Sequence, residues 1–156
     1  MAGRIDARLA ELGIELPQAA APVAAYVPAV RTGNLLFLSG QITLENGELR
    51  HKGKLGDGID LETGRQAARL CGLNILAQAK AALGGDLDRV VRVVKLVGFV
   101  NSTPDFVDQP KVVNGASELM QEVFGEAGRH ARSAVSAGSL PLGVAVEVEA
   151  ILEVAD

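Results

Sequence analysis

The sequence predicts an α+β fold, a mixed β-sheet with two long helices packed on one face. Two stretches, 61–83 and 112–124, place apolar residues at helical spacing. Residues 144–154 alternate at the period of a strand. Val144, Val146, Val148, Ala150 and Leu152 share one face; Ala145, Glu147, Glu149, Ile151 and Glu153 share the other. The predicted elements run helix, β, β, α, β, α, β, β, without an internal repeat.

Each element follows from local chemistry. Ile5, Leu9 and Leu12 recur at a spacing of four and three, which makes 4–12 a short amphipathic helix. Gly13 stops it, Pro17 follows, and the Ala/Pro stretch 17–25 reads as a connector. Residues 26–31 and 35–44 read as strands around the turn Thr32-Gly33-Asn34, since Gly and Asn tolerate positive φ. The polar, glycine-rich residues 45–58 read as a loop with room for a short strand. Asp60 is placed to cap the helix 61–83, and Gly84-Gly85 to stop it. Val90 to Val100 is a Val-rich buried strand, in which Lys95 is expected to reach an edge or interface. A second helix is expected from Thr103 or Asp105, with Pro110 marking a break or the true start. Gly125 and Gly128 end it, 132–137 is a strand, and Leu140-Pro141 turns the chain into the last strand. That strand's second face mixes Ile151 with carboxylates, so it is expected to meet another subunit. The chain divides into an N-terminal helix and connector, 1–21, and a single domain, 22–156.

Composition narrows the function. At 156 residues the chain is long enough to bury a core without a metal or disulfide staple. A net charge of −4, with no basic run and 3% aromatic residues, counts against a nucleic-acid binder. The single cysteine, Cys71, lies in a helical apolar pattern and reads as a buried structural thiol in a reducing compartment. Asp6 and Glu11 interrupt any signal-peptide core, and no run is long enough to span a membrane, so a cytoplasmic location is expected.

Few residues carry chemistry. His51 and His130 lack a second ligand at metal spacing, so no metal site is expected. Ser39 is not in a nucleophile elbow, and Gly84-Gly85 lacks the Lys-Ser/Thr of a phosphate loop. Glu147 and Glu149 lie about 6.5–7 Å apart along a strand, a separation a glycosidase could use, but the absence of Trp argues against a sugar cleft. Arg132 with Glu147, fifteen residues on, offers a donor fork for a carboxylate and a group that can position water. A plain salt bridge between neighbouring strands explains the same pair equally well. Tyr26, the only tyrosine, could equally be a rim residue, and Asn114 a solvated one.

A wider pattern weighs between these readings. Tyr26, Val30, Gly33-Asn34 and Ser39-Gly40-Gln41 open it; Lys95 to Val100 and Asp105-Phe106 continue it. Ala131-Arg132-Ser133, Leu140-Pro141 and Val146-Glu147-Val148-Glu149-Ala150 close it. In order and spacing these resemble the Rid family, the reactive intermediate (imine) deaminases, also called YjgF-like and formerly L-PSP endoribonucleases, over residues 22–154. The resemblance implies a chorismate-mutase-like sheet, a homotrimeric barrel and sites between subunits. It implies hydrolysis of imines and enamines of amino acids to 2-keto acids and ammonia, without a cofactor. By the same resemblance Arg132 holds the substrate carboxylate and Glu147 positions water, while Tyr26, Ser39, Gly40 and Asn114 line the pocket. The implied partners are a small carboxylate-bearing molecule and two further copies of the chain, with no nucleic acid and no membrane. A trimer that binds keto acids without turnover is the alternative; a ribonuclease fits the acidic charge least. Four departures mark a distinct subgroup: the N-terminal helix is an extension, the family's usual Pro is His130, a Cys of well-characterised members is Ala134, and the region around Pro110 is longer.

Overall fold

A computed structural model describes residues 3–21 and 25–156. Residues 22–24 of the expected connector lie outside the described residues. A five-stranded mixed sheet forms the centre. Its strands are β1 (Ala29–Thr32), β2 (Leu35–Gln41), β7 (Val90–Asn101), β8 (Ala131–Ala137) and β9 (Val146–Val154), in the order β1-β2-β9-β7-β8. All neighbours are antiparallel except β7 and β8, which are parallel. Between β2 and the first long helix, two small two-stranded ladders pair β3 (Leu44–Glu45) with β4 (Glu48–Leu49) and β5 (Lys54–Leu55) with β6 (Gly58–Ile59).

The two long helices, α2 (Leu61–Ala82) and α3 (Gln109–Phe124), form with the sheet one apolar core. Leu36, Leu38, Leu96, Val148 and Leu152 from the sheet meet Ile75, Leu76, Val112, Ala116 and Leu119 from the helices. Asp60 caps α2 as expected, its Oδ1 accepting the Thr63 N–H at 2.8 Å. Gly84, with φ of 67°, lets the Gly85 N–H close on the Lys80 carbonyl at 2.8 Å and ends the helix. Cys71 is buried, its thiol against the Val146 carbonyl at 3.4 Å, and burial pushes its pKa up.

A third helix joins this layer. α1 (Arg4–Glu11) buries Ile5 and Leu9 in the same core. Its first turn lacks a local side-chain cap, and the Asp88 carboxylate supplies one from a distance, accepting from the N–H groups of Arg4 and Ile5 at 2.8 Å each. The expected two-helix layer therefore has three members among the described residues.

Several boundaries differ from expectation, among them that of the strand 35–44, which ends at Gln41. Residues 26–28 are not strand: Pro28 has no N–H to give a ladder, and Ser39 holds the segment instead. α3 begins at Gln109, with Pro110 in its first turn, where a missing N–H costs nothing; Thr103–Phe106 forms only a turn. The sheet face away from the helices is open. Val30, Phe37 and Val135 are exposed there, and Lys95 stands level with Ile151 and Ala131. No helix among the described residues is long and apolar enough to cross a membrane.

Candidate functional site

The candidate residues fall into two groups, on opposite faces of the sheet. Arg132 on β8 is level with Leu96 on β7 and, beyond it, with Ala150 on β9, and all three positions face the helices. Glu147 is level with Phe99 and, beyond it, Val135, on the open face. The two rows are three residues apart, an odd number, so they point to opposite sides. Two strand spacings and three residues of rise put the Arg132 and Glu147 Cα atoms roughly 14 Å apart. β7 lies between their strands, and no ion pair joins the two residues among the described ones. A salt bridge within the chain therefore does not explain this pair.

The first group surrounds Arg132. Asn114 and Ser117, one helical turn apart on α3, present their side chains to the same spot. Nη1 of Arg132 donates to Asn114 Oδ1 at 2.8 Å and to Ser117 Oγ at 3.2 Å. Ser117 Oγ also lies 2.8 Å from His130 Nε2, and His130 Nδ1 lies 2.7 Å from the Gly128 carbonyl. These residues, with Gln121 and Arg129, line a polar cleft of about 230 Å³. Burial works against the Arg132 charge, which leaves the group in want of an anion. Ser117 and His130 were not recognisable as its partners from the resemblance. The Asn114–Ser117 spacing was the available signal for Ser117.

The second group lies around the start of β9. Leu38 pairs with Ala150 and Gln41 with Val148, so Ser39 and Gly40 together oppose Glu149: a β-bulge. The bulge brings the Gly40 backbone against Glu147, where a Cβ at position 40 would overlap the carboxylate. Ser39 Oγ donates to the Val27 carbonyl at 2.8 Å, and its N–H to the Pro28 carbonyl at 2.9 Å. Ser39 thus anchors the segment that carries Tyr26. Tyr26, half exposed, and Gly40 line a mainly apolar cleft of about 370 Å³ together with Asn74 and Gln78 of α2; Glu147 and Ser39 do not line it. Half-burial, and then the neighbouring Glu149, raise the Glu147 pKa from its ordinary value. Such a carboxylate is suited to exchanging protons with water nearer neutrality. A larger groove between α1 and α2 holds none of these residues, and its Lys80 is paired with Asp6 at 3.0 Å.

Comparison with known proteins agrees with this architecture. The family model described as "YjgF/chorismate mutase-like, putative endoribonuclease" matches residues 6–154, so the match begins within α1. Protein TCP17 of Trypanosoma cruzi is 51% identical over 152 residues, 97% of this chain and 94% of that protein. The crystal structure of Atu1372 from Agrobacterium tumefaciens, a protein of unknown function, is 51% identical, with a TM-score of 0.91 over 97% of this chain and 92% of that one. RidA from the Antarctic bacterium Psychrobacter sp. PAMC 21119 is 31% identical, with a TM-score of 0.62 over 88% of this chain and 94% of its own. The chain belongs to the YjgF-like family of RutC and Rid proteins.

Proposed function

We propose that the protein is a homotrimeric hydrolase of imines and enamines derived from amino acids, releasing 2-keto acids and ammonia. The observation that carries this reading is the division of the candidate residues into two incomplete halves. The Arg132 half has an anion-seeking guanidinium on an edge strand and no carboxylate paired to it among the described residues. The Glu147 half has a perturbed carboxylate on an open, partly apolar face. Each half borders a surface suited to another copy of the chain: the free edge of β8 and the exposed Val30, Phe37 and Val135. A closed ring of subunits would bring Arg132 of one chain to Glu147 of the partner subunit, with Tyr26, Ser39 and Gly40 completing the wall.

The chemistry needs nothing beyond these groups. The carboxylate of the substrate binds the Arg132 fork, which fixes the imine carbon in place. Glu147 takes a proton from water as the C–O bond forms and the C=N π pair moves onto nitrogen. The proton passes to that nitrogen, giving a carbinolamine. Glu147 then moves the proton of the new hydroxyl to the same nitrogen as the carbonyl forms and the C–N bond breaks, and ammonia leaves; an enamine enters this sequence as its imine tautomer. The test is to generate imines in situ with an amino-acid oxidase and follow their decay. Faster decay with the wild-type protein, lost in Arg132→Ala, is the expected result. No acceleration across several amino acids sinks the hydrolase reading; binding of a keto acid without turnover would assign the non-catalytic alternative instead.

A further inference from the structure

We infer that His130, acting through Ser117, is a positioning residue for Arg132: a neutral imidazole fixes the direction of the Ser117 hydroxyl and thereby aims the guanidinium. The Gly128 carbonyl can only accept, so His130 Nδ1, 2.7 Å away, carries the ring proton. In a neutral ring Nε2 is then an acceptor, and the Ser117 hydroxyl, 2.8 Å away, donates to it. With its proton turned to His130, Ser117 Oγ offers a lone pair to Arg132 Nη1 at 3.2 Å. Asn114 Oδ1 takes the other Nη1 hydrogen at 2.8 Å.

Both hydrogens of Nη1 are thus committed inside the subunit. Nε and Nη2, the two nitrogens that form one bidentate edge of the fork, have no partner among the described residues. The chain Gly128–His130–Ser117 therefore decides which edge faces a ligand. A ring protonated on Nε2 instead would set the bare Nδ1 against the Gly128 carbonyl, acceptor against acceptor, and would leave the Ser117 proton undirected by the ring. Half-burial favours the neutral ring; the Gly128 hydrogen bond works the other way and the nearby Arg132 charge adds to the burial, so that the His130 pKa lies below its ordinary value. Ser117 is buried, 7% exposed, so its hydroxyl has little water to fall back on.

This inference rests on the proposed role of Arg132 as a carboxylate anchor, so its test reads the ring and the guanidinium before any turnover. In ¹⁵N NMR spectra of the intact protein, His130 is expected to be protonated at Nδ1 and bare at Nε2. The Arg132 Nη protons are expected to exchange slowly in the wild type, several-fold faster in His130→Ala and Ser117→Ala, and slowly again in His130→Gln, whose amide can both donate to Gly128 and accept from Ser117. Titration with 2-oxobutanoate adds the functional readout. His130→Ala and Ser117→Ala should each weaken binding by about tenfold, and the double variant no more than Ser117→Ala alone. A ring protonated at Nε2 in the wild type, unchanged Arg132 exchange in His130→Ala, or penalties that add would overturn the inference. The wild-type ring measurement needs no variant to fold. If the ring and guanidinium behave as expected but 2-oxobutanoate does not bind, the proposed function fails and the positioning role stands.

Discussion

Arg132 can be replaced by lysine without loss of charge, but not without loss of function on this account. An ammonium at that position would be drawn to Asn114 Oδ1 and Ser117 Oγ and would have no second planar edge for a carboxylate. Arg132→Lys is expected to lower kcat/KM for imine decay by about 10- to 100-fold, the worth of a charge-assisted pair of hydrogen bonds. At Glu147 the expectation is one of sign. Its folded pKa is raised, by half-burial first and Glu149 second, so its share of stability is fully present below the unfolded carboxylate pKa and is lost as pH rises through the folded value. Glu147→Gln should therefore melt higher than the wild type at pH about 8 and lose that advantage below pH about 4, while abolishing imine hydrolysis. Equal melting temperatures at both pH values would show that Glu147 carries no burial penalty.

At the scale of elements, α2 and α3 approach closely because glycines leave room. A Cβ at Gly115 would overlap the Arg65 carbonyl, and one at Gly72 would come within 2.9 Å of the Leu119 side chain. Backbone cannot yield as a side-chain tip can, so Gly115→Ala is expected to cost about 3 kcal/mol, read as a shift of the denaturation midpoint. These helices, their caps and the alternation of β9 were legible in the sequence because they depend on local period and on residues within one turn. The bulge at Ser39-Gly40 was not, since it arises from pairing with β9. The relation of Arg132 to Glu147 was hidden for a similar reason. Their strands are consecutive in the chain, yet β7 comes between them in the sheet, and the odd offset in register turns the two side chains to opposite faces. The family pattern named Arg132 and Asn114 together, but it carried no information on His130, because the family's usual residue there is proline.

At the scale of the whole molecule, the open sheet face and the free edge of β8 are the surfaces that a subunit on its own leaves unsatisfied. A closed ring of three chains is expected to show a mass in solution of about three times the 16.2 kDa chain. Charge placed on the open face, as in Val135→Glu, should dissociate the assembly and abolish imine hydrolysis while the subunit stays folded. Full activity in a dissociated Val135→Glu protein would mean that one chain suffices. The central claim, that each site joins the two halves from different chains, is tested most directly by complementation. Arg132→Ala and Glu147→Gln chains, each inactive alone, are co-expressed in equal amounts and assayed for imine decay as mixed assemblies. In a closed ring, random mixing should pair an intact Arg132 with an intact Glu147 in about a quarter of the sites, and restore activity in that proportion. A mixture no more active than either variant alone would contradict the account.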